Sequence, residues 1–306
     1  MKILLTGASG FLGSIILEKL NSEGLETICL GRSATNDIQL DLVGSDVVLL
    51  PRVEMVVHAA GKAHIVPKTA AEKQDFYTVN VEGTKHLLEA LEGNTDLKKF
   101  VFISSVAVYG REVGIAINED NPLLAKDPYG ESKIKAEALV AAWCSKRGVA
   151  YYILRLPLIA GKNAPGNLGA MMRGIERGRY LSIGKATAKK SMVLATDIAE
   201  LISHIDGPAG IYNLTDGYHP SFGELEAMIC GYYHKKKPIG LPMLGARVLG
   251  FVGDMLGSRF PVNSRTIKKI TSTLCFDDRK ARELLGWRPR GVLGGFEGSK
   301  LEPFKV

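Results

Sequence analysis

A glycine-rich segment near the N-terminus constrains the fold more than any other part of the sequence. An apolar run at residues 2–5 predicts a β-strand, and helical spacing of leucine and isoleucine over residues 12–20 predicts an α-helix. Between them lies Thr6-Gly7-Ala8-Ser9-Gly10-Phe11-Leu12-Gly13. Gly7 permits a tight turn, Gly10 lets the backbone approach a pyrophosphate, and Gly13 lets the helix pack closely on the strand. Because a helix N-terminus offers free N–H groups to phosphates, the segment predicts a dinucleotide-binding turn.

The alternation of strands and helices continues beyond this turn. Apolar runs at residues 26–30, 55–61 and 100–104 predict further strands, and residues 70–91 and the segment after Pro128 have helical spacing. Such alternation is typical of α/β proteins with a parallel sheet. We therefore predict an α/β fold built on a Rossmann, doubly wound parallel sheet.

The residues after the second predicted strand bear on the choice of cofactor. In dinucleotide-binding folds an Asp or Glu roughly 20 residues beyond the glycines binds the ribose diol of NAD. This chain has Gly31-Arg32-Ser33 there, and a guanidinium favours a 2′-phosphate. The sequence therefore favours NADP, with NAD as the alternative. Arg32 could instead be an ordinary surface arginine. Asp41 and Leu42 follow a further short strand and are candidates to flank the adenine.

The strand at residues 55–61 ends in small side chains. Its last residues are His58-Ala59-Ala60-Gly61. Small residues at the carboxyl end of a strand let a flat ligand lie against the backbone, and open parallel sheets bind their ligands there. For His58 we prefer a core position to a catalytic role.

The predicted chemistry depends on two segments that follow the strand at residues 100–104. Ser104-Ser105-Val106-Ala107-Val108-Tyr109-Gly110 ends that strand, and Tyr129-Gly130-Glu131-Ser132-Lys133 begins 24 residues after Ser105. Tyr129 and Lys133 are four residues apart and share one helix face. An ammonium and an oxidised nicotinamide would lower the phenol pKa from near 10, so that Tyr129 exchanges a proton with a carbinol near neutral pH. Ser105 would hydrogen-bond the same oxygen.

Composition narrows the classes of partner. The chain has 306 residues, with 39 Lys and Arg against 32 Asp and Glu, so its net charge of +7 permits an anionic partner. Its basic residues are scattered apart from Lys235, Lys236 and Lys237, and only 7% of residues are aromatic, so we expect no nucleic-acid partner. The cysteines form no CxxC and the histidines show no ligand spacing. We expect a reduced, cytoplasmic chain with no metal site.

Residues 239–257 form an apolar segment that could be confused with a membrane span. They contain Pro242, Arg247 and Asp254, and a charge at mid-bilayer costs several kcal/mol, so we predict no span. Their helical spacing favours a core or cap helix. The alternative is a peripheral membrane contact in which Lys235, Lys236 and Lys237 meet anionic lipid.

Four motifs, TGASGFLG, HAAG, SSVAVYG and YGESK, resemble in this order those of the extended short-chain dehydrogenase/reductases, the NAD-dependent epimerase/dehydratases of nucleotide sugars. Later segments at residues 154–157, 167–168, 196–199 and 281–289 are similar too, so the resemblance covers nearly the whole chain. It implies that Ser105, Tyr129 and Lys133 are catalytic and that Lys133 also holds the nicotinamide ribose. It further implies a homodimer joined through residues 73–92 and 129–146.

The patterns and the resemblance together give the candidate binding residues. Those for the cofactor are Thr6, Gly7, Ser9, Gly10, Phe11, Leu12, Gly13, Arg32, Asp41, Leu42, His58, Ala59, Ala60, Gly61, Asn80, Tyr129, Lys133, Leu156 and Pro157. Those for a UDP-sugar substrate are Lys62, Ser105, Val106, Tyr129, Asn167 and Lys190. In many relatives the position of Lys190 is an arginine that contacts the diphosphate; lysine keeps the charge and loses the bidentate fork.

The resemblance also implies a division into two domains. Residues 1–165, with 191–206 returning, are expected to form the dinucleotide-binding domain. Residues 166–190 and 207–306 are expected to form a smaller C-terminal α/β domain that binds the nucleotide sugar.

Within the family the chain is most similar to reductases of bacterial surface-polysaccharide synthesis. These reduce the C4 ketone of a UDP-4-keto-6-deoxy-N-acetylhexosamine by hydride transfer from a nicotinamide cofactor. The segments that suggest this are Lys62-Ala63-His64, Gly166-Asn167-Leu168 and residues 274–287. A UDP-sugar 4-epimerase shares every catalytic motif and is the alternative, and a catalytically silent NADP-binding regulator is a second one. Val106 and Ala107 stand where a dehydratase is expected to have acidic residues, so dehydration is disfavoured.

Overall fold

The computed structural model describes residues 1–44, 49–63, 65–161, 163–256 and 263–298. Its centre is a seven-stranded sheet whose neighbouring strands are all parallel, in the order β3-β2-β1-β4-β5-β7-β11. The strands are β1 (Lys2–Thr6), β2 (Glu26–Gly31), β3 (Ile38–Gln39), β4 (Met55–His58), β5 (Lys99–Ser105), β7 (Ala150–Leu156) and β11 (Gly210–Asn213). The chain leaves β1 in one direction for β2 and β3, then crosses to β4 on the other side. The predicted doubly wound sheet is confirmed, and its switch point lies between β1 and β4.

Helices cover both faces of this sheet. They include α1 (Phe11–Ser22), α2 (Ala70–Tyr77), α3 (Gly83–Ala90), α4 (Pro128–Arg147) and α6 (Ala195–Ser203). Apolar residues of α1 and α6 pack with Ile3 and Leu5 on one face, whereas those of α3 and α4 pack with Leu4 on the other. Successive side chains of a strand point to opposite faces, so the buried run in β1 supplies both cores.

The helix predicted over residues 70–91 is interrupted. A π-helical turn, Thr78–Glu82, separates α2 from α3. Asn80 lies in this turn and is buried. A π turn adds a residue to the helical repeat, so periodicity alone predicts one continuous helix, and such turns are frequent at functional sites.

The remaining elements form short parallel strand pairs and helices. The pairs are β8 (Leu158–Ala160) with β10 (Met192–Leu194), β9 (Leu181–Ile183) with β12 (Ile239–Leu241), and β6 (Gly114–Ile117) with β13 (Leu274–Phe276). The helices are α5 (Gly166–Glu176), α7 (Phe222–Tyr232), α8 (Met243–Leu256), α9 (Ser264–Thr271), α10 (Arg279–Leu284) and α11 (Val292–Gly298). A separate apolar cluster joins α5, α7, β10 and the start of α11.

Two details of the expected division differ from the structure. The strand of the returning segment, β10, pairs with β8 rather than with the main sheet, whereas the following helix α6 packs against α1. β11, which the expected boundary at residue 207 places in the second domain, is the edge strand of the main sheet and pairs with β7. Strand partners depend on contacts between distant segments, which local sequence patterns do not encode.

No helix in the described part of the chain is long and apolar enough to cross a membrane. Among the described residues, no three His, Cys, Asp or Glu side chains come together as metal ligands. His64 and Gly257, each part of a segment singled out above, lie outside the described residues.

Candidate active site

The turn between β1 and α1 requires two of its glycines. Gly7 has φ +77°, and a Cβ there would lie 2.6 Å from the backbone nitrogen of Ala60. A Cβ on Gly13 would lie 2.0 Å from the carbonyl oxygen of Gly7, so α1 could not pack this close to the turn. The predicted roles of a tight turn and close helix packing therefore have a direct steric basis.

The same turn opens outward at the start of α1. Gly10 is the N-cap, its own side chain is a hydrogen, and no side chain caps the helix. Ser9 and Gly10 are exposed. The first N–H groups of α1 thus point to an accessible surface at the carboxyl end of β1, and this cradle fits the pyrophosphate of a dinucleotide.

A chain of hydrogen bonds joins β1, β4 and α3 behind this cradle. Thr6 Oγ1 lies 2.7 Å from Nδ1 of His58 and accepts from the Ala60 N–H at 3.2 Å. His58 Nε2 lies 2.9 Å from Thr84 Oγ1. The imidazole is buried, and burial, aided by the charge of Lys133, lowers its pKa to about 3. His58 is therefore a core histidine with both ring nitrogens engaged, as preferred above, and its place among the cofactor-binding residues stays a prediction.

Ser105 and Tyr129 meet at the carboxyl end of β5. Ser105 caps the 3₁₀ turn Val106–Tyr109, and its hydroxyl accepts from the Ala107 N–H. Burial raises the pKa of the Tyr129 phenol and outweighs the opposing effect of the neighbouring Ser105 hydroxyl, so the net pKa is raised. The groups of the chain itself thus shift this pKa in the direction opposite to that predicted.

Lys133 lies one helical turn beyond Tyr129 and is buried. Its Nζ donates to the carbonyl oxygen of Ile103 at 2.8 Å and lies 4.7 Å from the centre of the Phe102 ring. Burial lowers its pKa to about 8, against the opposing effect of the Glu137 charge. The ammonium faces the end of β4, because a Cβ on Gly61 would lie 3.3 Å from Nζ. The structure thus brings Gly61, the last residue of His58-Ala59-Ala60-Gly61, against the predicted catalytic Lys133.

Asn80, in the π turn, fixes the chain just after Gly61. Its Oδ1 accepts from the Lys62 N–H at 2.7 Å, and its Nδ2 donates to the Lys62 carbonyl at 3.1 Å and to Ser132 Oγ at 2.9 Å. Asn80 therefore ties the end of β4 to the helix that carries Tyr129 and Lys133. The Lys62 ammonium is paired with Asp75 at 2.6 Å, and its contact with a substrate stays a prediction.

The other predicted residues of the first half of the chain differ in position and burial. Leu156 pairs with Ser105 across β5 and β7, so Leu156 and Pro157 lie at the same sheet edge as the Ser105 hydroxyl. Arg32 follows β2 and is exposed, as is Asp41, while the Leu42 carbonyl accepts from His86. Phe11 and Val106 are half-buried, and Leu12 is buried.

Two predicted substrate residues lie in the second half of the chain. Asn167 is exposed in the first turn of α5. Lys190 is half-buried beside Leu274, and burial lowers the pKa of its ammonium.

A buried ionic network behind the site was missed from the sequence. Glu137, four residues after Lys133 on α4, accepts from Arg155 Nε at 3.1 Å and from Arg155 Nη2 at 2.7 Å. Ser104 also donates to Glu137, and Arg155 Nη1 donates to the Tyr109 hydroxyl at 3.0 Å. The i, i+4 spacing of Lys133 and Glu137 on α4 was the one sequence feature that pointed to Glu137. Nothing near it in the sequence indicates that Arg155 of β7 is its partner.

Comparison with known proteins assigns the chain to a family. The model of the NAD dependent epimerase/dehydratase family matches residues 3–212. The N-acetyl-alpha-D-glucosaminyl-diphospho-ditrans,octacis-undecaprenol 4-epimerase of Escherichia coli O157:H7 is 30% identical, over 91% of this chain and 88% of that protein. The chain belongs to the NAD-dependent epimerase/dehydratase family. It is therefore an NAD(P)-dependent enzyme of the extended short-chain dehydrogenase/reductase type, as the motifs implied.

Other relatives agree with this assignment. The UDP-glucose 4-epimerase of Vibrio cholerae is 28% identical, over 95% of this chain and 92% of that protein. The solved UDP-glucose 4-epimerase of Thermotoga maritima shares the fold with a TM-score of 0.76 at 21% identity, covering 97% of this chain and 96% of that one. The two sequence relatives are both 4-epimerases, so they favour the epimerase alternative over the expected 4-ketoreductase.

Proposed function

We propose that the protein is a 4-epimerase of a hexose or N-acetylhexosamine carried on a diphosphate, with a UDP-sugar as the substrate. The observation that carries the proposal is the meeting of the Ser105 hydroxyl, the Tyr129 phenol and the buried Lys133 ammonium at the carboxyl edge of the sheet. The similarity to named 4-epimerases over most of the chain supports inversion at C4 over net reduction.

The chain's own groups can carry the proton transfer at C4. Tyr129, as phenolate, takes the proton of the C4 hydroxyl, and Ser105 hydrogen-bonds the same oxygen. Burial alone raises the phenol pKa, so the phenolate needs a nearby positive charge. Lys133, whose pKa is about 8, is predominantly an ammonium at neutral pH and supplies such a charge. A bound nicotinamide cofactor supplies the oxidation and re-reduction of the C4 carbon.

The cofactor would be held where β1 and β4 end and by Lys133 of α4. The turn from Gly7 to Gly13 offers N–H groups to the pyrophosphate, and Gly61 leaves space at the end of β4. Lys133 lies within reach of the same space, consistent with a bond to the nicotinamide ribose.

The test separates inversion from reduction. Purified protein with UDP-N-acetylglucosamine should produce UDP-N-acetylgalactosamine with no net consumption of reduced cofactor, measured by chromatography and by absorbance. The polyprenyl-diphosphate-linked sugar is run in parallel, because it shares the sugar diphosphate and distinguishes the two carriers. If none of these 4-hydroxy sugars is interconverted, the proposal is contradicted.

A second candidate is an NADPH-dependent reductase of a UDP-4-keto-6-deoxy-N-acetylhexosamine. It is favoured by Arg32, which is exposed just after Gly31 where NAD-binding relatives of the fold carry an acid. Arg32→Ala should then weaken NADPH binding by about 1.5–3 kcal/mol, the size of a charge-assisted hydrogen bond, and leave NADH binding unchanged. Equal affinities of the wild-type protein for NADPH and NADH in titration calorimetry would remove this candidate.

The organisation of the enzyme is part of the proposal. Residues 1–165, with α6 and the edge strand β11, would bind the dinucleotide, and most of the remaining chain would bind the sugar. Two copies would join through α2, α3 and α4 of each. Sedimentation velocity that gives a monomer at micromolar concentration would contradict the dimer.

A further inference from the structure

The fully buried residues of helix α8 are its smallest ones. Ala246, Gly250 and Gly253 are its buried residues among those described. A Cβ on Gly250 would lie 2.7 Å from the Ile267 side chain of α9, so the two helices are in close contact along this face. A helix that belongs to a protein core buries its large apolar residues instead. Of the expected core or cap helix, the structure therefore excludes the core position.

The large apolar residues of α8 face away from the protein. Leu244 is 76% exposed, Val248 60%, Phe251 64% and Met255 75%. At about 100° per residue these four positions fall within an arc of about 60°, opposite the buried glycines. Val252 of α8 is exposed next to this arc, and Ile239 of β12, five residues before Leu244, is exposed as well. We call Ile239, Leu244, Val248, Phe251, Val252 and Met255 the α8 face.

Basic side chains border this face. Arg247 is exposed on α8 itself and lines a cleft between α8 and α9. Lys268 of α9 lines the same cleft, but its ammonium is paired with Glu112 at 3.1 Å. Lys235, Lys236 and Lys237 are exposed just before β12. The acidic residue of α8, Asp254, accepts a hydrogen bond from the Ser264 N–H at 3.2 Å, so its charge is held toward α9. The surroundings of the α8 face are therefore positive.

We propose that the α8 face lies in the surface of a bilayer that contains anionic phospholipids, with the helix axis parallel to the membrane. A helix with phenylalanine and leucine on one side and basic residues at its border has the pattern of an interfacial helix. The exposed lysines and Arg247 would meet lipid phosphates while Phe251 and its neighbours enter the acyl boundary. The proposal stands on the burial pattern of α8 and does not depend on the reaction proposed above.

A second copy of the chain fits this face less well. A two-fold contact places the same patch against itself, so the basic borders of both copies would come together. A stable interface also takes about 20–30 residues from each partner, whereas the α8 face has six. Anionic lipid satisfies both the apolar stripe and its positive border.

The experiment is co-sedimentation of the full-length protein with vesicles. Vesicles of equal parts phosphatidylglycerol and phosphatidylcholine should bind the protein, and vesicles of phosphatidylcholine alone should bind it far more weakly. Binding should fall steeply in about 1 M salt, where the Debye length is about 3 Å. Replacing Lys235, Lys236 and Lys237 together by Gln should weaken binding by about a hundredfold at low salt, since each basic residue contributes about 1 kcal/mol near an anionic surface.

The apolar contribution is tested by Phe251→Ser. Burial of a phenylalanine is worth about 1.5–3 kcal/mol, so the variant should bind anionic vesicles about tenfold to a hundredfold more weakly. The matched control is Ile115→Ser, which removes an apolar side chain that is 78% exposed on β6. The control should bind as the wild-type protein does, and circular dichroism should show that both variants are folded.

Three outcomes would overturn the proposal. The first is no binding of the wild-type protein to anionic vesicles. The second is equal loss of binding in Phe251→Ser and Ile115→Ser. The third is a dimer in sedimentation velocity that Phe251→Ser converts to monomer, because a second copy of the chain would then cover the α8 face.

Discussion

Replacing Glu137 by Gln should destabilise the protein far more than removing an exposed ion pair of the same length. Arg155 and Glu137 are 2% and 3% exposed, and two guanidinium nitrogens donate to the carboxylate. Glu137→Gln keeps the size of the side chain but leaves the Arg155 charge without a counter-charge. Breaking a buried pair in this way costs about 3–5 kcal/mol. Because glutamine still accepts a hydrogen bond, we expect a loss of about 3 kcal/mol in the free energy of unfolding.

The matched control is Glu26→Gln. Glu26 pairs with Lys2 at 2.8 Å, close to the 2.7 Å of Arg155 and Glu137, but the two side chains are 65% and 35% exposed. Exposed pairs contribute about 0–1 kcal/mol, so this variant should unfold almost as the wild type does. Urea titration followed by circular dichroism measures both. A Glu137→Gln variant within about 1 kcal/mol of the control would refute the reasoning.

The double variant Glu137→Leu with Arg155→Met separates loss of the pair from exposure of a lone charge. It buries no ion, so it should be more stable than Glu137→Gln if the uncompensated guanidinium is the cause. Glu137 also raises the pKa of Lys133, so Glu137→Gln should lower the pKa of Lys133 below about 8. As pH rises, turnover of Glu137→Gln should therefore begin to fall at a lower pH than turnover of the wild-type protein, because Lys133 loses its proton earlier.

Three further predictions concern the site and its support. Tyr129→Phe should reduce turnover by about 10²–10⁴-fold while cofactor affinity in calorimetry is retained; a variant that keeps most of its kcat would contradict the mechanism. The pKa of His58 is about 3 in the folded protein against an ordinary value of 6.5, so between these two pH values only the unfolded chain takes up the proton. The free energy of unfolding should consequently fall as pH drops below about 6.5, by at most about 1.4 kcal/mol per pH unit, and His58→Gln should flatten the slope in urea titrations, unlike His204→Gln at an exposed position. Gly13→Ala should cost about 1–3 kcal/mol in the same assay, because its Cβ meets the turn, whereas Gly93→Ala, with no atom within 4 Å, should cost little.

The sequence by itself determined the parts of the protein that depend on neighbouring residues. Gly7 and Gly13 belong to one short turn, so their spacing already determines the close contact between Gly13 and the Gly7 carbonyl that the structure shows. Tyr129 and Lys133 share a helix face through their spacing alone. The alternation of strands and helices determined the doubly wound sheet for the same reason, because each element is recognisable from its own periodicity.

Only the tertiary structure decided features that join segments distant in sequence. Arg155 of β7 pairs with Glu137 of α4, and β11 pairs with β7 at the sheet edge. Asn80, in the π turn, ties the end of β4 to α4. The ring nitrogens of His58 are engaged by Thr6 and Thr84, far apart in the chain. Helix α8 is the clearest case: its apolar spacing is visible in the sequence, but which side of a helix is covered depends on the element packed against it. Here α9 approaches Gly250, because a residue without a Cβ lets two helix backbones come so close, and the side chains of the α8 face are left outside.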